Sequence, residues 1–258
     1  FTPWWGGFPR TKRIIKKGYH KTLGKYFLNH LVDAIIAVSE SEKEQLIKEG
    51  VHKEKIFVIP NGVEDLAYTL PFLENNEMNG YKPYILYIGR LAKIKGIHLL
   101  IEFLYLSRKD VRLVIAGPKV DETYYNYLRY LIEKYGLQDR VIFYGSVDEK
   151  TKFMLIDNSL AVALLSSYEG EPITVKEAMA RGKPVIVSDI PAFKDLVENQ
   201  RNGFIVNTAE QFAQSIDELL FNKRLYEEIS RNNKQKAEAW RWTKIGEEIL
   251  DLYIRLLS

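Results

Sequence analysis

The sequence of 258 residues contains no cysteine, so disulfide bonds and thiolate metal sites are excluded. It also lacks any apolar run approaching the roughly 18 to 20 residues that a membrane-spanning helix needs. The formal net charge of +3 is too small to indicate nucleic-acid binding by itself. Since no secretory leader is recognisable either, these absences predict a cytoplasmic protein without a nucleic-acid partner.

Apolar runs alternate with helical patterns along most of the chain. We expect strands at 31–38, 55–59, 84–88, 111–116, 141–144, 160–165, 184–188 and 204–206. We expect helices at 40–49, 97–107, 122–135, 149–157, from 173 to the stop at Gly182, and at 192–198, 209–222, 224–240 and 242–257. This alternation predicts an α/β fold with a Rossmann-like, doubly wound parallel sheet covered on both faces. Ligands of such sheets bind beyond the C-terminal ends of the strands.

The alternation stops at 64–82, where no periodicity is present and proline, asparagine and glycine accumulate. We interpret residues 63–82 as a linker between two domains. Residues 1–62 are too short for a doubly wound domain, and we interpret them as the last part of a domain whose beginning is absent. Residues 83–240 would form the second domain, and 241–258 a final helix with one apolar face.

One stretch, residues 166–179, organises the prediction because it follows a buried strand and precedes a helix. Pro172 suits the first helical position, where a missing amide hydrogen costs nothing. The amides of Ile173, Thr174 and Val175 would then point out of the helix start, which favours an anion.

Two carboxylates flank this predicted anion site. Glu169 precedes the helix, and Glu177 lies one turn after its start on the same face. A carboxylate holds a vicinal diol well, so the pattern indicates a ligand that carries phosphate flanked by hydroxyls, such as a sugar nucleotide. The alternative is that both acids are solvated surface charges on an ordinary turn.

A second group of residues follows the strand at 84–88 and belongs to the same sheet edge. Gly89 and Arg90 come directly after the strand, and Lys95 comes five residues later. Two cations at a strand end would hold a diphosphate and stabilise it as a leaving group. The alternative for Arg90, Lys95 and the intervening Lys93 is ordinary surface charge.

The segment at 10–21 is basic and carries apolar residues at helical spacing. One interpretation is an amphipathic helix in peripheral contact with an anionic inner membrane surface. The other is a solvated helix that packs on a neighbour.

At these motifs a family resemblance becomes specific. The patterns Gly89-Arg90-Leu91-x-x-x-Lys95-Gly96 and Glu169-Gly170-x-Pro172-x-x-x-x-Glu177-Ala178 resemble the retaining GT-B glycosyltransferases of the glycogen synthase and mannosyltransferase type. The resemblance extends from about Asp33 to the C-terminus, including Pro60-Asn61-Gly62-Val63. It implies that most of the chain is the donor-binding C-terminal domain of this fold, with a remnant of the N-terminal domain.

The resemblance also implies residue roles. Arg90 and Lys95 would bind the donor diphosphate, Glu169 the donor sugar, and Glu177 the ribose. Gly89, Gly170 and the backbone of Ile173 and Thr174 would complete the contacts. The nucleobase pocket would fall near Gly117, Val147 and Lys152.

Relatives of this type retain the anomeric configuration and need no metal or other cofactor. The sequence agrees, since it has no Asp-x-Asp motif and its four histidines show no ligand spacing. We interpret Asp121-Glu122 and Asp148-Glu149 as helix-start charges. One departure is Glu171, which stands where many relatives have an aromatic residue.

The resemblance therefore predicts a transferase that moves a sugar from a nucleoside-diphosphate sugar to an unknown acceptor. Because most of the acceptor-side domain is absent, we expect these residues alone to bind donor without transferring sugar. The alternatives are a non-catalytic nucleotide-sugar-binding or scaffold module, and a related GT-B enzyme such as an epimerase or a phosphorylase.

Overall fold

The computed structural model describes residues 24–73 and 80–258. These fall into two compact units, one with the described residues up to Asn61 together with Thr243–Ser258, the other with Gly62–Trp242. The domain boundaries given above stay a prediction. The basic segment at 10–21 lies outside the described residues, so its membrane contact also stays a prediction.

The first unit contains a small parallel sheet and three helices. They are α1 (Lys25–His30), β1 (Ile35–Ala37), α2 (Glu40–Lys48), β2 (Ile56–Val58) and most of α11 (Trp242–Leu257). Ser39 caps α2 as its sequence predicts, because its hydroxyl accepts the amide of Glu42 at 3.2 Å. The predicted buried strand at 31–38 is wrong in its first half. Leu31 is the C-cap of α1 and is 63% exposed.

The last helix, α11, buries only part of the apolar face that its sequence predicts. Ile245 and Leu252 pack with Ile59 in one small apolar cluster. Tyr253 and Leu256 are 59% and 41% exposed, so the expectation that the whole face is buried is wrong for them.

The second unit is built on a six-stranded parallel sheet in the order β5-β4-β3-β6-β7-β8. The strands are β3 (Tyr84–Ile88), β4 (Arg112–Ala116), β5 (Val141–Gly145), β6 (Ala161–Leu164), β7 (Val185–Ser188) and β8 (Gly203–Val206). The chain builds the sheet outward from β3 to β5, then crosses to the other side of β3 to add β6, β7 and β8. The predicted fold class, a doubly wound parallel sheet, is confirmed.

Helices cover both faces of this sheet. They are α3 (Leu66–Thr69), α4 (Ile97–Ser107), α5 (Glu122–Lys134), α6 (Glu149–Asn158), α7 (Ile173–Ala180), α8 (Pro191–Lys194), α9 (Ala209–Phe221) and α10 (Lys223–Ala237). Alternate side chains of β3 face opposite helical layers. Ile85 and Tyr87 pack with α4, α5 and α9. Leu86 and Ile88 pack with α6 and α7 instead. This two-sided burial explains why the strands read as continuous apolar runs.

Two local predictions for this unit are wrong, and the end of a third element differs in helix type. Gly203 is the first residue of β8 rather than part of a turn, because it pairs with Val185 of β7. A Cβ there would lie 2.6 Å from the Val185 carbonyl oxygen, which is why glycine suits the position. The helix expected at 192–198 is the single turn α8. The helix expected at 224–240 is α10, followed by a 3₁₀ turn at Glu238–Trp240.

Residues 66–73 were expected to be irregular, yet they contain α3 and are fastened to the sheet unit. Arg181 forms a bidentate ion pair with Asp157, with Nε–Oδ1 and Nη2–Oδ2 distances of 2.8 and 2.5 Å. Its Nη1 donates to the carbonyl of Leu70 at 2.7 Å, and its Nη2 to that of Pro71 at 3.1 Å. One buried guanidinium thereby ties this segment to α6 and α7.

Candidate functional site

The two predicted motifs follow adjacent strands at the centre of the sheet. Gly89 and Arg90 come after β3, and Ser166 to Pro172 come after β6. Strands β4 and β5 lie on one side of β3, and β6 to β8 lie on its other side, so the strand order reverses between β3 and β6. Open α/β sheets bind ligands in the crevice beyond the strand ends at such a point. The topology therefore places both motifs at the expected ligand-binding edge.

Close backbone contacts hold the loops of this edge together. Ser167 donates its amide to the carbonyl of Ile94 at 2.9 Å. Gly117 has φ +137°, and a Cβ there would lie 2.0 Å from the carbonyl oxygen of Gly89. Only glycine fits this conformation and this approach, so the backbones of Gly117 and Gly89 meet without an intervening side chain.

The structure brings Lys95 and Glu169 together. Lys95 Nζ lies 2.8 Å from each carboxylate oxygen of Glu169, and the Ser166 hydroxyl donates to Oε1 of the same carboxylate at 2.6 Å. The Glu169 side chain is only 7% exposed. Its charge is compensated within the site, and Ser166 is a site residue that the sequence did not indicate.

A second lysine–glutamate pair joins α6 to α7. Lys152 Nζ lies 2.6 Å from Glu177 Oε1 and 2.6 Å from Glu149 Oε2. Burial raises the pKa of Glu177, and Lys152 opposes that shift. Burial alone would lower the pKa of Lys152, but the two carboxylates outweigh it and raise the pKa. Lys152 lies in the first turn of α6, within the helix that was expected at 149–157.

Arg90 is an exposed cation of this edge. Within residues 24–73 and 80–258, its guanidinium has no hydrogen bond or ion pair. Its backbone is fixed, because the hydroxyl of Tyr87 donates to the Arg90 carbonyl at 2.8 Å. The guanidinium therefore projects from an anchored loop and can meet an anion without giving up a partner.

The start of α7 differs from its sequence prediction. Pro172 is the N-cap and not the first helical residue. The amide of Ile173 donates to the carbonyl of Glu171 at 3.1 Å, and that of Val175 to the carbonyl of Pro172 at 3.0 Å. Of the three amides expected to be free, only that of Thr174 has no acceptor in the described part of the chain.

Glu171, the departure from the family pattern, contacts a buried lysine. Its carboxylate forms an ion pair with Lys176, whose side chain is 1% exposed. Lys176 Nζ also lies 5.1 Å from the ring centroid of Trp240. Lys176 is a second residue that the sequence did not indicate, since its spacing from Glu171 carries no recognised signal.

The remaining candidates lie on the loops at the same sheet edge. Gly117 follows β4 and donates its amide to the carbonyl of Gly145 at 2.7 Å. Val147 is half-buried against the apolar layer, and Gly170 is half-buried in the loop before α7. The interpretation of Asp121 and Asp148 as helix-start residues is confirmed, because each caps the helix that follows it.

Across 24–73 and 80–258, no three His, Asp or Glu side chains cluster as a metal site would require. In the same residues, every helix is too short or too polar to cross a bilayer.

Two family models match the chain. The model described as glycosyl transferases group 1 matches residues 71–236, and the model described as glycosyltransferase family 4 matches residues 2–65. The two matches together include nearly all the residues discussed above.

Curated relatives resemble the chain over most of its length. An uncharacterised glycosyltransferase of Methanocaldococcus jannaschii is 29% identical over 233 residues, with 85% of this chain and 59% of the relative covered. Mannosylfructose-phosphate synthase of Agrobacterium fabrum is 27% identical over 237 residues, with 85% and 52% covered. The chain spans 48–63% of the length of such relatives.

A solved structure of Anabaena HepE, in complex with UDP and glucose, has the same fold. Its TM-score is 0.83 at 24% identity, with 91% of this chain and 66% of the HepE chain covered.

Proposed function

Since the chain belongs to the glycosyl transferases group 1 family, we propose that it forms the donor-binding part of an enzyme that transfers a sugar from a nucleoside-diphosphate sugar. The observation that carries the proposal is the Lys95–Glu169 contact at the point where the sheet reverses its strand order. Arg90, which has no partner among the described residues, follows the same strand as Lys95. A HepE complex with UDP and glucose supports the ligand class, because HepE shares the fold.

In the proposed bound state, contacts with the donor replace the contacts within the Lys95–Glu169 and Lys152–Glu177 ion pairs. Lys95 would turn from Glu169 to the diphosphate, where Arg90 and the free amide of Thr174 add further donors. Glu169 would then accept hydroxyls of the donor sugar. Glu177 would accept the ribose hydroxyls, while Lys152 keeps its second partner, Glu149.

The transfer breaks the bond between the anomeric carbon and the diphosphate oxygen. Negative charge develops on that oxygen, and Arg90 and Lys95 would stabilise it. The acceptor hydroxyl forms the new bond to the anomeric carbon, and its proton passes to the departing diphosphate oxygen. Retention of configuration and independence of metal ions are parts of the proposal that rest on the family resemblance.

The isolated chain is proposed to bind donor without completing transfer, which agrees with its coverage of 48–63% of its relatives. Measurable sugar transfer by these 258 residues alone would contradict this part. Donor screening of a longer form would identify the sugar and the base.

The proposal is tested by calorimetry with UDP, GDP, ADP and their sugars. Arg90→Ala should weaken binding of the preferred nucleotide about 10- to 100-fold, the loss expected for a charge-assisted hydrogen bond. Lys93→Ala is the matched control, because Lys93 is an exposed cation of the same loop and should leave the affinity unchanged. Absence of nucleotide binding would favour the scaffold alternative.

Peripheral membrane contact through residues 10–21 is a separate part of the proposal. Flotation with anionic and with neutral liposomes tests it. Enrichment on anionic liposomes supports the contact, and equal recovery on both contradicts it.

A further inference from the structure

A cavity of about 480 Å³ opens at the outer edge of the sheet, between α5 and the edge strand β5. Strands β4 and β3 separate β5 from β6, so this cavity lies apart from the edge that carries Glu169. Its volume falls in the range of roughly 300–1,000 Å³ that is typical of small-molecule sites. The cavity is called the α5/β5 groove below.

One face of α5 forms a wall of the groove. Asn126, Arg129, Tyr130 and Glu133 line it, at the spacing i, i+3, i+4 and i+7 that places residues on one helix face. Gln138 adds a second amide from the turn before β5. The groove is therefore lined by planar polar side chains around one tyrosine ring.

These polar groups are available to a ligand. In the part of the chain that the structure describes, the side chains of Asn126, Arg129, Glu133 and Gln138 have no hydrogen bond or ion pair. Arg129 and Glu133 are four residues apart, where opposite charges commonly pair, yet they do not. Their donors and acceptors face the groove unsatisfied by the protein.

Two aromatic rings line the groove, those of Tyr130 and Phe143. Tyr130 is 56% exposed. Phe143 lines the base and is held by Tyr125, with ring centroids 4.9 Å apart. An aromatic ring offers a flat apolar face with a negative quadrupole, which suits the C–H face of a pyranose.

The charges of the lining also restrict the ligand. Arg129 and Glu133 contribute one positive and one negative charge, so these two lining charges balance. Lys134, whose Nζ lies 6.0 Å from the centroid of the Tyr130 ring, adds one positive charge at the rim. Amides, a carboxylate and a guanidinium match adjacent hydroxyl groups, which both donate and accept hydrogen bonds. Together with the exposed ring, this set fits an uncharged sugar.

We propose that the α5/β5 groove binds a neutral oligosaccharide, at a site separate from the nucleotide-sugar site. The tyrosine ring would pack on a pyranose, and the four polar side chains would bind its hydroxyls. The proposal does not require that the donor site work as described above.

Chemical-shift mapping on the whole chain tests this proposal. The probes are maltohexaose, cellohexaose, chitohexaose and mannohexaose at up to about 10 mM, since single-ring recognition gives weak affinity. We expect at least one probe to shift the amides of α5 and β5. The absence of such shifts with all four probes would overturn the proposal.

Variants separate the groove from the rest of the surface. Tyr130→Ala and Asn126→Ala should each weaken the oligosaccharide about tenfold or more, because they remove the ring and an amide. Tyr127→Ala is the matched control, since Tyr127 is a 44% exposed tyrosine of the same helix that does not line the groove. Equal effects of Tyr127→Ala and Tyr130→Ala would also overturn the proposal.

Two further measurements complete the test. Glu169→Ala should leave oligosaccharide binding unchanged. Loss of oligosaccharide binding in this variant would assign the sugar to the nucleotide edge and overturn the proposal. A sulfated oligosaccharide should bind no better than its neutral parent, and tighter binding would overturn the neutral-ligand assignment. Unchanged thermal unfolding of each variant establishes that it is folded.

Discussion

Lys95 Nζ lies 2.8 Å from both carboxylate oxygens of Glu169, across two loops that are 74 residues apart in sequence. The pair joins the loop after β3 to the loop after β6. In the absence of a ligand, the ammonium of Lys95 and the carboxylate of Glu169 therefore neutralise each other. A ligand that uses either group must replace that contact.

A double-mutant cycle on Lys95→Ala and Glu169→Ala measures the strength of this contact. Without nucleotide, we expect a coupling free energy of about 1–3 kcal/mol in urea unfolding, because both side chains are largely buried. Additive effects of the two substitutions would show that the contact contributes nothing. Lys48 and Glu44, an exposed pair on α2, provide a control cycle whose coupling should not exceed about 0.5 kcal/mol.

Glu177 predicts a pH dependence of stability. Burial raises its pKa above the ordinary value of 4.5, so the folded state holds the proton more tightly than the unfolded state. Its contribution to the free energy of unfolding is present below pH 4.5 and is lost as the pH rises through the folded pKa.

Urea unfolding between about pH 4 and pH 8 checks this slope. Glu177→Gln should flatten the stability profile in that range. Glu228→Gln, at an exposed position of α10, should leave the profile unchanged. An identical profile for wild type and Glu177→Gln would contradict the prediction.

Gly117 and Gly136 both have positive φ but differ in the space around them. A Cβ at Gly117 meets the Gly89 carbonyl at 2.0 Å, whereas Gly136 has nothing within 4 Å. Gly136→Ala should therefore cost only about 1–2 kcal/mol, the penalty for a left-handed residue. Gly117→Ala should cost clearly more and should also weaken nucleotide binding, because the loops must move apart. Urea unfolding and calorimetry measure the two effects.

Substitution of Arg181 should lower the free energy of unfolding more than substitution of an exposed ion-pair residue. Arg181→Met leaves the buried Asp157 without its cation, and we expect a loss of about 3–5 kcal/mol in the free energy of unfolding. Arg201→Met is the control, since Arg201 pairs with Glu198 on the surface and should cost less than about 1 kcal/mol. Similar costs for both variants would contradict this explanation.

The sequence predicted the sheet and its ligand-binding edge because both depend on local patterns. Buried parallel strands read as apolar runs, and their C-terminal ends share one edge, so Gly89-Arg90 and Glu169 could be placed together without a structure. Element type followed from periodicity, whereas ends such as Leu31 and Gly203 depended on contacts that no local pattern records.

The pairing inside the site could not be predicted in the same way. Lys95 and Glu169 were expected to bind different parts of a ligand, and nothing in either motif indicates that they contact each other. The Glu171–Lys176 pair and the Arg181 contacts depend on side-chain directions in the folded state. Patterns predict which groups reach an edge, but not how those groups satisfy one another in the absence of a ligand.

The ties made by Arg181 decide where an expressible fragment of the sheet unit can start. A fragment that began at Tyr84 would contain every strand of the large sheet, yet it would strip Arg181 of the carbonyls of Leu70 and Pro71. Asn158 would also lose the carbonyl of Leu73, which it binds at 2.6 Å. A fragment that starts at Gly62 keeps these partners, so it is the one to clone for crystallisation or isotope labelling.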